Sequence, residues 1–184
     1  MARVLVPLAE GFEDLEAVTI VDVLRRGGVE VVTASISDAP EVRGARGIVM
    51  RADALLADVA ACDYAAIVLP GGEGVARLKS CPLLIDRLRR QADAGLLIGA
   101  ICAAPTLLVE AGLLDEETQV TCYPTCQEEL DREWSPAPVV ADGRIITGQA
   151  PGSALLFSLV VLQTIAGAET AMQVAGGMVT DVLD

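Results

Sequence analysis

Apolar residues fall along this chain in two alternating rhythms. Short continuous runs occupy residues 3–8 (RVLVPL), 29–34 (VEVVTA), 64–69 (YAAIVL) and 96–100 (LLIGA). Such runs read as strands buried on both faces. Between them, apolar positions return every three or four residues. Over residues 13–26 the repeat puts Leu15, Val18, Val21 and Leu24 on one side of a predicted helix, which Gly27 and Gly28 end. Further helices are predicted at 82–94, with Pro82 in its first turn, and at 103–110, stopping before Gly112. A strongly apolar helix follows at 153–165 and a shorter one at 169–174. Residues 119–122 and 144–147 read as additional strands. Between 39 and 53 the periodicity weakens, and Gly44 and Gly47 mark an irregular hairpin.

Apolar strands separated by helices predict an α/β sandwich with a mostly parallel sheet covered on both faces, in one domain over residues 1–184. In such open sheets ligands bind beyond the carboxyl ends of the strands. Three of those ends carry unusual residues: LAEGFEDLE at 8–16, PGG at 70–72 and GAICAAP at 99–105.

Composition narrows the chemistry. The 184 residues contain no histidine, which removes Ser-His-Asp and Cys-His catalysis and histidine metal sites. Twenty-six acidic residues against 13 basic ones give a formal charge of −13, which argues against direct nucleic-acid binding and against attraction to anionic lipid. Although 53% of the residues are hydrophobic, no run reaches the roughly 18 needed for a membrane span. The first eight residues lack the pattern of a signal peptide, so a cytoplasmic protein with free thiols is expected. Cys122 and Cys126 have no third or fourth candidate ligand beside them, and ordinary packing is their expected role.

Cys102 sits where a strand turns abruptly into a helix, the layout of a nucleophile elbow. Gly99, Ala100, Ala103 and Ala104 are small enough for such a turn, and a following helix entrance favours the thiolate. The competing reading is an inert core thiol, common for free cysteine. Gly71 and Gly72, with the N–H of Ala103, form a candidate anion-binding pocket; the alternative is an ordinary strand-ending turn. Glu13 and Glu16 share one face of the first helix turn. They complement the helix dipole, or one of them lies buried against the thiol with a raised pKa and trades a proton with it.

These residues together resemble the ThiJ/PfpI superfamily. EGFEDLEAV, LPGGEG, GAICAAP, TCYPT and TGQAPGSALLF occur in family order, and the likeness is closest to the branch of the Parkinson disease-associated protein deglycase and bacterial YajL. The resemblance implies a flavodoxin-like sandwich, usually a homodimer, working without a metal or other cofactor. It places the oxidation-prone cysteine at Cys102, the contacting glutamate at Glu16 and the backbone donors at Gly72 and Ala103. It also puts family arginines near the site and dimer interface at Arg26 and Arg46. Where many relatives carry a histidine this chain has Tyr123, so a histidine-dependent mechanism does not transfer.

The function so implied is cysteine-dependent protection against reactive dicarbonyls or their adducts, by thiolate addition with Glu16 as proton shuttle. The alternative is a non-enzymatic redox sensor or holdase chaperone in which Cys102 oxidises to a sulfinate. A protease, which the wider superfamily includes, lacks its histidine base here.

Overall fold

The apolar runs become the middle of a seven-stranded sheet in the computed structural model, which describes residues 2–130 and 134–183. The elements run β1 (Arg3–Leu8), α1 (Asp14–Arg26), β2 (Glu30–Ser35), β3 (Glu41–Arg43), β4 (Val49–Arg51), β5 (Ala54–Leu55), α2 (Leu56–Val59) and β6 (Ala66–Leu69). They continue as α3 (Val75–Lys79), α4 (Pro82–Asp93), β7 (Leu97–Ile101), α5 (Pro105–Glu110), β8 (Val139–Asp142), β9 (Ile145–Gly148), α6 (Ala154–Ala166) and α7 (Ala168–Gly177). The sheet order is β5-β2-β1-β6-β7-β9-β8. All neighbours pair in parallel except β8, which joins β9 antiparallel. This is the doubly wound, flavodoxin-like α/β arrangement, whose order reverses beside β1.

Strand side chains alternate between two cores. Val4, Val6 and Leu8 of β1 and Val68 of β6 face α1, α6 and α7, whereas Leu5, Ile67 and Leu69 face the layer of α2, α3, α4 and α5. Helix α6 lies close because β9 ends in Gly148, where a Cβ would stand 2.8 Å from Ile101 and 3.0 Å from Phe157.

Four expectations change. The apolar stripe of α1 is rotated: Ala17, Ile20, Val23 and Leu24 are fully buried, whereas Leu15 and Val18 are 53% and 43% exposed. The sheet takes the face nearest its own strands and leaves the edge of the stripe outside. Residues 119–122 form no strand; Val120 makes one isolated bridge to Trp134, and the Thr121 amide donates to Thr147 Oγ1 at 2.9 Å instead of joining a ladder. The helix expected from 103 starts at Pro105, because the elbow occupies the residues before it. Strand β8 was not foreseen, although Asp142-Gly143, with Gly143 at φ +57°, carries the signal of a tight hairpin.

The irregular hairpin at 39–53 contains β3 and β4 and reaches over the start of α1. Asp14, only 3% exposed, pins it: its carboxylate accepts from the amides of Arg46 at 2.7 Å and Ile48 at 2.9 Å. Gly44 permits the approach, since a Cβ there would lie 2.5 Å from that carboxylate. Replacing Asp14 with alanine leaves two amides without their acceptor. We expect a loss of about 2–4 kcal/mol in urea unfolding, with faster proteolytic cleavage within residues 44–48; unchanged stability contradicts the anchor.

Candidate active site

The loop after β1, the turn after β6 and the elbow after β7 meet at the carboxyl edge of the sheet. Between β7 and α5 the chain turns so sharply that Cys102 takes φ +65°, a left-handed conformation costing about 1–3 kcal/mol in a residue that is not glycine. Three hydrogen bonds fix it: Cys102 N–H donates to Gly148 O at 2.9 Å, Ala104 N–H to Ile101 O at 3.0 Å, and Tyr123 N–H to Cys102 O at 2.8 Å. The elbow read from the sequence is therefore present. Cys102 is 7% exposed, and it lines an open cavity of about 340 Å³ with Glu13, Arg46, Glu73, Ala103 and Tyr123 among its walls.

Glu16 enters the same place from α1. Its neighbour Glu13 caps the helix, accepting the Glu16 amide at 2.8 Å, and Glu13 N–H in turn donates to Gly71 O at 2.9 Å. The Glu16 side chain is fully buried. Oε2 accepts the Gly71 amide at 2.7 Å, while Oε1 is buried without a conventional partner among the described residues and the carboxyl group interacts with the Cys102 thiol. Burial pushes its pKa from 4.5 up to about 7, against the lowering effects of the Gly71 amide and the thiol.

The sulfur feels the same surroundings. Burial first, then the charge of Glu16, drives the Cys102 thiol well above the ordinary cysteine range, while the amides of Gly72 and Ala103 pull the other way. Two groups so placed do not both ionise at neutral pH. The acid gives up its proton at about 7 while the thiol keeps its own, so the first charge on the pair falls on the Glu16 carboxylate. The expectation that a helix entrance by itself favours the thiolate is thereby corrected. Helix α5 starts two residues late, at a proline that has no N–H, so its entrance offers the sulfur less than expected.

Gly71 is also reassigned. Its amide was expected to join Gly72 in binding an anion, and it binds Glu16 instead. Its lack of a side chain matters equally, because a Cβ would stand 2.6 Å from Cys102 Cβ and 2.9 Å from Glu16 Oε2. The donors turned toward sulfur are Gly72 and Ala103. Gly72 sits at φ +90°, where a Cβ would lie 2.5 Å from the Glu13 nitrogen.

The structure thus brings Cys102, Glu16, Gly71, Gly72, Ala103, Glu13, Arg46 and Tyr123 together. It does not bring Arg26, which ends α1 about 15 Å along the axis from Glu16 and pairs with Asp22 at 2.7 Å. Sequence reasoning passed over Glu73, Ala45 and Pro151 as cavity walls, and Asp14 as the residue that holds Arg46 in place. Asp14 lay inside the EDLE motif, but nothing in the motif shows which carboxylates turn inward. Cys122 is buried beneath this region, and burial raises its thiol to about 12, as expected of a packed cysteine.

Comparison with known proteins shows what the chain is similar to. A model of the DJ-1/PfpI family matches residues 2–164. Protein DJ-1 homolog A of Arabidopsis thaliana is 40% identical over 173 residues, covering 93% of this chain but 44% of that protein. The chain thus spans less than half the length of that relative. The glutathione-independent glyoxalase DJR-1.2 of Caenorhabditis elegans is 37% identical over 91% of this chain and 90% of its own. The solved structure of oxidized Toxoplasma gondii DJ-1 superposes with a TM-score of 0.94 at 35% identity, covering 98% of this chain and 99% of that one.

A buried acid with a raised pKa binds its proton more tightly folded than unfolded, so its stabilising effect is complete below about 4.5 and is lost as the pH rises to about 7. Glu16→Gln removes that loss while keeping an acceptor for Gly71. We expect the variant to exceed the wild type by about 1–3 kcal/mol in urea unfolding near pH 8, with the gap shrinking toward pH 4.5. A pH-independent difference contradicts the buried-acid assignment.

Proposed function

This chain belongs to the DJ-1/PfpI family, and on that premise we propose that it is a cofactor-independent, cysteine-dependent enzyme acting on reactive dicarbonyls or their adducts. The observation that carries the reading is the Glu16–Cys102 pair, a buried acid of raised pKa against a thiol at the wall of a cavity of about 340 Å³. A cavity that small suits a short carbonyl compound or the modified end of a larger adduct.

In this mechanism Glu16 takes the thiol proton and the sulfur attacks the aldehyde carbon of a compound such as methylglyoxal. The C–S bond forms, the carbonyl π electrons move to oxygen, and the amides of Gly72 and Ala103 stabilise the resulting oxyanion as they stabilise the thiolate before it. Glu16 then moves protons: it neutralises the alkoxide and relays hydrogen between the two carbons, turning the hemithioacetal into a thioester of the hydroxy acid. Water cleaves the thioester, releasing lactate and restoring the thiol. With an adduct as substrate, the same addition starts at the carbonyl carbon that the adduct retains. Tyr123, half-exposed at the rim, and Arg46 and Glu13 bound the substrate space.

A second reading has its own support. The amides facing sulfur and the acid beside it also suit the oxygens of a sulfinate, formed when a peroxide oxidises the thiolate through the sulfenic acid. The relative named glutathione-independent glyoxalase favours the enzymatic reading, and the neighbour solved in oxidized form favours this one. Both draw on the same proton.

Lactate formation from methylglyoxal separates them. We expect Cys102→Ser to abolish it and Glu16→Gln to lower kcat by about 10²–10⁴-fold with intact folding. Sulfinate at Cys102 after mild peroxide, in a protein that turns over no dicarbonyl, selects the sensor instead.

The homodimer expected of the family has a matching surface. Leu15, Val18, Ile48 and Val49, all at least 43% exposed, lie on the outer side of α1 and on the arm that Asp14 anchors, beside Arg46. A second copy covering this face also bounds the catalytic cavity. Analytical ultracentrifugation should show a dimer for the wild type and a monomer for Val18→Arg; a monomeric wild type at micromolar concentration removes the assignment.

A further inference from the structure

The opposite, amino edge of the sheet holds a second thiol in a cationic setting. Cys62 lies between α2 and β6, half-buried, two residues before Tyr64. The buried Tyr64 ring carries two guanidinium groups, Arg3 at 5.2 Å and Arg87 at 5.5 Å from its centroid. Both arginines lie close enough to Cys62 to interact with it. Arg87 and Arg90, three residues apart on α4, line a cavity of about 140 Å³ together with Cys62 and Asp63.

Arg87 is the anomaly. It is 6% exposed, yet among the described residues no carboxylate comes within ion-pair distance of it. Its Nη2 donates to the Cys62 carbonyl at 3.4 Å, and its buried Nε has no hydrogen-bond partner among the described residues. Among the described residues, the hydrogen bond of the Arg90 side chain is to the carbonyl of Ala60, at 3.5 Å. In a chain of formal charge −13, Arg3, Arg25, Arg26 and Arg51 all have acid partners. A buried cation without a counter-ion is costly, and two neighbouring guanidinium groups repel. Asp63 stands in the wall as the single carboxylate against two cations. A planar anion such as a carboxylate matches the guanidinium fork and completes the site.

We propose that Cys62 is a second modification site, exchanging with an anionic low-molecular-weight disulfide whose carboxylate is held by Arg87 and Arg90. The Cys62 thiol gives its proton to water, and its sulfur attacks one sulfur of the disulfide. The old S–S bond breaks, the other half leaves as a thiolate, and a mixed disulfide remains on Cys62 with no net oxidation. This site lies at the other end of the strands from Cys102 and does not depend on the dicarbonyl reading.

The probes are oxidised glutathione, which is anionic, and 2-hydroxyethyl disulfide, which is neutral, with adducts located by peptide mass mapping of the full chain. We expect oxidised glutathione to modify Cys62. Arg90→Gln, an exposed change, should slow that reaction about tenfold while leaving the neutral disulfide's rate unchanged. Added salt should slow the glutathione reaction selectively. Arg87→Lys serves as a second variant, read only if its thermal unfolding matches the wild type. An unmodified Cys62, or an Arg90→Gln effect equal for both disulfides, overturns the proposal.

Discussion

A carboxyl group buried against a thiol is the constraint around which this molecule is arranged. Neither group is at ease there, because burial disfavours charge on each and charge on one disfavours charge on the other. The surrounding backbone makes the pair tolerable without neutralising it. One amide, from Gly71, serves the acid; two, from Gly72 and Ala103, serve the sulfur. A full counter-charge would fix the proton on one side. With amides alone, the acid gives up its proton at about 7 while the thiol keeps its own.

That balance explains costs visible elsewhere in the fold. Cys102 holds a left-handed backbone conformation, and Gly71 and Gly72 occupy positions that any side chain would disrupt. These features suit a site whose geometry is fixed before substrate arrives, since donors already in place need no reorganisation during the reaction. Strand ends on a double-sided sheet supply the rigidity. The β1, β6 and β7 termini are held in register by parallel pairing, and the arm over α1 is tied down by Asp14. The elements that form the candidate site are thus held by the elements that carry the stability.

Much of this was legible in the order of residues. Runs such as YAAIVL and LLIGA identify central strands because both faces are apolar, and the abrupt passage from LLIGA to ICAAP announces the elbow. Cys102 could be named for the same reason, as a reactive residue at a strand end, whereas the choice of Glu16 over Glu13 came from the family resemblance. What was hidden depends on contacts distant in sequence. The rotation of α1 is set by which face the sheet takes, and residues 119–122 lose their ladder to a hydroxyl on Thr147. Arg26 and Arg46 looked alike as arginines near the site, and only the direction of α1 separates them. The largest change concerned the thiol. A helix entrance suggests a sulfur that ionises easily, whereas burial beside Glu16 makes its ionisation conditional on the neighbour.

The most direct test is infrared difference spectroscopy of the Glu16 carboxyl group across pH, with its band assigned by loss in Glu16→Gln. Burial of the acid against the thiol predicts a protonated carboxylic acid that persists through mildly acidic pH and titrates at about 7. A Glu16 that is already fully carboxylate near its ordinary value of 4.5 would contradict the account, because the acid could then not serve as the proton's second home.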